Sequence, residues 1–170
     1  IEDYNNYDNA ILYNDEVVSS LIKAIDSKHD NSLLVYFADH GEEVYDYPDN
    51  LFAGRSEAAP TSAMYTVPFV VWTSPKFKQT RDIDQWRSAT DRPYSTAHFI
   101  HTFADMVGLN FAEMDDRESL ISQNFQQLPR WIGDPLNAKS LQRYSDVIGT
   151  ERSSTQTAER RVSKDIKKAL

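Results

Sequence analysis

A chain of 170 residues with 40% hydrophobic and 12% aromatic content can bury a core and is not a disordered segment. Its formal net charge of -8 disfavours nucleic acid as a partner, because phosphate binding needs a basic surface; an anionic lipid stays compatible, since local charge at a pocket can oppose the global sign. The chain has no cysteine, so disulfides give no guide to the redox compartment, and no apolar run of about 18 residues or charged-then-apolar leader marks a membrane span or signal peptide.

The first element is a predicted helix over Tyr7 to Asp26, where Ile11, Val17, Val18, Leu21, Ile22 and Ile25 recur at helical spacing and would cover one face of a sheet. A polar connection follows, in which His29 reads as a solvated loop residue. Leu33 to Ala38 is an apolar and aromatic run that ends in Asp39-His40-Gly41-Glu42-Glu43. Such a run predicts a strand covered on both faces, as in a parallel sheet flanked by helices, and α/β sheets place their chemistry at the carboxyl ends of strands. A carboxylate and an imidazole suit zinc, and Gly41 provides the bend that brings two neighbouring side chains to one ion. The competing reading is an Asp that caps the next turn beside a His that packs.

From Glu42 to Tyr65 periodicity is lost among Asp46, Pro48, Asp49, Asn50, Gly54, Pro60 and Thr61, which predicts a long loop beside the metal strand. Arg55 is its only cation. It suits a phosphoryl clamp, against an ion pair with Glu57 or a neighbouring Asp. Val67 to Trp72 predicts a second strand with Pro68 near its start. Lys76 to Arg92 reads as a polar surface excursion holding Trp86. Tyr94 to Val107 predicts a helix with Ser95 as N-cap and Gly108 as its stop. On it His98 and His101 share a face, with Asp105 beyond, and offer a candidate second metal site; the competing reading packs them beneath Phe99 and Phe103, and His98 is the better placed for a pocket rim. Asn110 to Gly149 reads as wrapping structure. In residues 150–170 the cations Arg152, Arg160, Arg161, Lys164, Lys167 and Lys168 outweigh Glu151, Glu159 and Asp165, so a basic helix or tail is expected after a main unit of residues 1–149.

Tyr7-Asp8-Asn9-Ala10-Ile11-Leu12-Tyr13-Asn14-Asp15, a helix, and then the strand into Asp39-His40-Gly41-Glu42 resemble the C-terminal part of the sulfatase-like catalytic domain of bacterial phosphoethanolamine transferases, in the alkaline phosphatase superfamily. Tyr65 to Trp72 resembles the family's later core strand, and His98 to Phe103 the helix after it. The resemblance implies an α/β fold with a mostly parallel sheet flanked by helices, and a periplasmic domain of an inner-membrane enzyme. It implies zinc-dependent transfer of phosphoethanolamine from phosphatidylethanolamine to lipopolysaccharide, at lipid A or core heptose, or to another envelope glycan.

Family members hold a nucleophilic Thr on zinc with a Glu, an Asp and a His. Asp39 and His40 match the last two, and Glu42 belongs to the same motif. The Thr and the Glu are expected before Ile1, together with any membrane anchor, so the chain alone is expected to be inactive; a monomer is expected. Several relatives carry a His in the loop after the Asp-His pair, where this chain has Phe52, and a different acceptor such as heptose would follow from that change. The alternatives are a sulfatase or phosphodiesterase of the same superfamily, and a non-catalytic binding module of this fold.

Overall fold

The computed structural model describes residues 2–47 and 52–148; the predicted basic tail over 150–170 lies outside the described residues. The chain opens on helix α1 (Glu2–Asp26), longer at its start than the apolar periodicity alone predicts. His29 follows in a left-handed turn at φ 52° and is exposed, as a solvated loop residue should be. No described helix is long and apolar enough to cross a membrane.

Strand β1 (Leu33–Phe37) pairs with β4 (Phe69–Thr73), with Leu33 opposite Thr73 and Phe37 opposite Phe69. The two predicted strands are therefore sheet neighbours, and they run antiparallel, so the expected parallel arrangement does not extend to this pair. Side chains alternate across a strand, and the two faces take different partners. On one face, the Asn14 side-chain amide of α1 donates to the Tyr36 hydroxyl at 2.5 Å. On the other, Phe37 and Phe69 stack at 5.5 Å and both meet Phe99, at 4.7 and 6.0 Å, so the predicted later helix covers that face. Phe99 thus covers one face, whereas α1 meets the other at this bond with Ile11, Val17 and Leu21 exposed, so the expected apolar cover of the sheet by α1 is not observed among the described residues. All five β1 residues are only partly buried, because this sheet has two strands among the described residues.

The later helix is α5 (Phe99–Val107), entered through a 3₁₀ turn at Thr96–His98. Ser95 caps that turn through the Ala97 N–H, and Gly108 ends the helix at φ 73°, where a side chain would be strained. Thr102, Ala104 and Met106 are its buried residues.

Two stretches read as irregular carry structure of their own. After β1 come a two-residue ladder, β2 (Glu43–Val44) with β3 (Ala53–Gly54), and the one-turn helix α2 (Ser62–Tyr65). After β4 come α3 (Pro75–Lys78) and α4 (Ile83–Arg87). Ser74 caps α3 through the Phe77 N–H with Pro75 in the first turn, and buried Phe77 meets Trp86 edge-on at 6.0 Å. The expected surface excursion is thus anchored in the core at Phe77 and Ala89. Farther on, β5 (Trp131–Ile132) pairs with β6 (Gln142–Arg143), and α6 (Tyr144–Val147) follows. Ile132, Tyr144 and Ile148 cluster there with Tyr65, tying the wrapping segment back to α2.

Candidate metal centre

The β1 strand delivers Asp39 and His40 to an open turn, with the Asp39 side chain 92% and the His40 side chain 47% exposed. Asp39 Oδ1 accepts the His40 backbone N–H at 3.0 Å, which turns Oδ2 toward the imidazole. His40 Nδ1 lies 2.9 Å from the Gly41 carbonyl oxygen. A carbonyl only accepts, so Nδ1 carries the proton and Nε2 keeps its lone pair for a ligand. Nε2 stands 3.9 Å from Asp39 Oδ2. Two donors about 2.0 Å from one tetrahedral zinc ion lie about 3.3 Å apart, so the pair is wider than a bound geometry and comes within reach of one ion by a small turn of the exposed Asp39 side chain. The donor types fit as well, with a tautomer fixed from behind as metal-bound histidines require.

Gly41 is needed here for space rather than for conformation. Among the glycines it is not one with positive φ, and a Cβ at its position would fall 1.9 Å from the Ala63 carbonyl oxygen. The expected role as a flexible bend gives way to close backbone approach. Its N–H donates to the Met64 carbonyl at 3.0 Å, so the metal turn rests directly on α2.

Arg55 lines the same cleft as Asp39 and His40, a volume of about 1280 Å³ whose walls include Val70, Trp72 and Trp86. Its guanidinium is turned onto Glu57, with Nε 2.8 Å and Nη2 2.7 Å from Oε1, and stacks 5.0 Å over the Tyr65 ring. The Tyr65 hydroxyl donates to the other oxygen of Glu57. The ion pair with Glu57, the competing reading for Arg55, is thus formed here: Nε and Nη2 both meet Oε1, and Tyr65 takes Oε2. The Tyr65 hydrogen bond, followed by Arg55, holds the Glu57 carboxyl below its usual value, while burial and Glu57 push the Tyr65 phenol up to about 12. A carboxylate with a depressed folded pKa stabilises above its unfolded value and loses that contribution as pH falls through the folded one. Both partners are about one-third exposed, so the Arg55 link is worth at most about 1 kcal/mol. Urea unfolding of R55A and wild type should differ by that amount near neutrality, with the difference closing as pH drops below 4.5, the ordinary value for Glu57. A gap that persists in full in acid would assign the link to the stack on Tyr65 rather than to Glu57.

Glu42 is exposed and its charge is felt on α1: burial raises the Tyr7 phenol, and the Asp46 and Glu42 carboxylates add to that rise. The second candidate metal site does not form. His98 Nδ1 lies 2.5 Å and His101 Nε2 3.3 Å from the same Glu118 oxygen. His101 Nδ1 accepts the Asp115 backbone N–H at 3.1 Å, so its Nε2 must carry the proton and donate to Glu118. That nitrogen has no lone pair for a metal, and among the described residues no group of three or more His, Asp or Glu side chains gathers as a metal site. The predicted pair is instead a hydrogen-bonded link from α5 to the turn at Asp116–Glu118. Asp105, expected to extend it, accepts the Ser119 hydroxyl at 2.6 Å.

The chain is 47% identical over 156 residues to phosphoethanolamine transferase EptC of Escherichia coli K12, a match covering 89% of this chain and 27% of that protein. The crystal structure of the C-terminal periplasmic domain of E. coli EptC superposes with a TM-score of 0.79 at 48% identity, over 85% of this chain and 40% of that one. Its zinc complex gives 0.78 at 46% identity, over 86% and 42%. The chain thus spans about a quarter of its curated relative's length. The sulfatase family model matches residues 1–109, the stretch that runs from α1 through β1, the Asp39-His40 turn and β4 to the end of α5, and the chain belongs to the sulfatase family.

Proposed function

We propose that the protein carrying this chain is a zinc-dependent phosphoethanolamine transferase of the bacterial envelope, in which residues 1–149 form part of a periplasmic catalytic domain. The observation that carries the reading is the convergence of Asp39 Oδ2 and His40 Nε2 at the exit of β1, in a chain nearly half identical to EptC. Asp39 and His40 would hold the metal. Zinc, when bound, supplies positive charge that polarises a phosphoryl oxygen and lowers the pKa of a coordinated hydroxyl. This chain's own part is to present the carboxylate and imidazole, keep the imidazole in one tautomer through the Gly41 carbonyl, and form a wall of the cleft with Arg55 and Tyr65. The donor is phosphatidylethanolamine and the acceptor lipopolysaccharide or another envelope glycan, reached from a membrane anchor outside this chain.

The test uses the full-length protein in vesicles containing phosphatidylethanolamine, with lipopolysaccharide as acceptor and mass spectrometry of the product. Zinc-dependent gain of phosphoethanolamine by the glycan, lost on chelation, is the expected result. Release of the group to water with no modified acceptor would instead make the protein a hydrolase of the same family.

A further inference from the structure

Glu43 follows the metal pair by three residues and is completely buried. Its Oε2 accepts the Thr61 hydroxyl at 2.5 Å, while Oε1 is buried with no hydrogen-bond partner among the described residues. Burying a carboxylate with an oxygen unpaired is costly, so stability alone is a poor reason for this side chain. Its connections point elsewhere. Thr61 stands at the N-cap of α2, where its hydroxyl would ordinarily satisfy the first helical N–H groups, yet it makes no such bond. The hydroxyl is committed to Glu43 instead. At the other end of the same turn, the Met64 carbonyl accepts the Gly41 N–H, and Ala63 closes so tightly on Gly41 that no side chain fits. The Gly41 carbonyl in turn meets His40 Nδ1. An unbroken line of contacts therefore runs from Glu43 through Thr61, α2 and Gly41 to the imidazole.

We propose that Glu43 is a positioning residue for the metal pair: through Thr61 it pins α2 against the Gly41 turn and so sets how Asp39 and His40 face each other. The proposal deepens the functional reading and rests on Asp39 and His40 being metal ligands. The adjacent Glu42 is exposed, so the role belongs to one of two neighbouring carboxylates.

The test takes E43A, E43Q, T61V and T61S in the full-length protein, with two readouts. Zinc affinity is measured by competition with a chromogenic chelator, and peptide-resolved hydrogen exchange over residues 38–45 is followed in the zinc-free protein. E43A and T61V are expected to weaken zinc binding by about 10-fold or more and to speed exchange in the turn. The double variant should be no worse than either single, because both cut one link. E43Q keeps an acceptor and T61S keeps the hydroxyl, so both should stay near wild type. Unchanged affinity and exchange in E43A, or losses in E43A and T61V that add in full, would overturn the proposal. If E43A does not fold, T61V, which removes a hydroxyl alone, carries the comparison. Should the wild type bind no zinc, the metal reading falls, and the exchange data still decide whether Glu43 pins the turn.

Discussion

Replacing either Asp39 or His40 by alanine in the full-length protein is expected to reduce phosphoethanolamine transfer by at least about 10³-fold, close to 4 kcal/mol of transition-state stabilisation, and to lower the bound zinc. Each variant removes one of two donors that stand 3.9 Å apart, within a small side-chain turn of sharing one ion. Both side chains face solvent and neither is part of the core, so the stability of the fold should change by about 0.5 kcal/mol or less. That separation makes the experiment decisive: activity and metal content should fall together while the unfolding midpoint stays in place. A His40→Ala protein that keeps its zinc and its rate would remove the imidazole from the site.

Gly41→Ala should have the opposite signature, a large loss of stability accompanying the loss of activity. The new methyl carbon would lie 1.9 Å from the Ala63 carbonyl oxygen and 3.1 Å from the Thr66 carbonyl oxygen. These are backbone atoms, with no flexible side chain to swing aside. Relief requires moving α2 away, which breaks the Gly41 to Met64 hydrogen bond and disturbs buried Met64. Overpacking of this kind should cost about 3 kcal/mol, readable as a shift of the urea midpoint at constant slope. A Gly41→Ala protein of wild-type stability would mean that α2 is not seated on the turn.

The frame of the chain is legible in its sequence, because its elements are long enough to show a period or a run. The helical spacing from Ile11 to Ile25, the apolar stretch of β1, the second run after Pro68 and the Gly108 stop each correspond to an observed element. The Asp39-His40 pair is legible for the same reason, since it closes a strand. The elements that support the pair are not. Strands of two residues and a helix of four have no period to detect, so β2, β3 and α2 read as loop. Glu42 and Glu43 look alike in sequence, and burial separates them only once Thr61 is folded beside the second. For Arg55 the sequence is compatible with phosphate or Glu57; the contact it makes depends on Tyr65, ten positions away, which supplies both a ring beneath the guanidinium and a hydroxyl for the carboxylate. His98 and His101 share a helix face as their spacing requires, but the Asp115 amide that fixes the tautomer of His101 comes from another element.

The pairing of Phe37 with Phe69 closes the chain between them into a loop, and Asp39, His40, Arg55, Glu57 and all of α2 lie within it. Sheet and covering helix thus form one inheritance unit, and the chemistry beside the metal forms another. A substitution at Arg55, which lines the cleft from within that loop, can change the cleft wall while the strand register and its aromatic covering stay as they are. The two donors at the mouth of the loop stay tied to the frame whatever the loop carries.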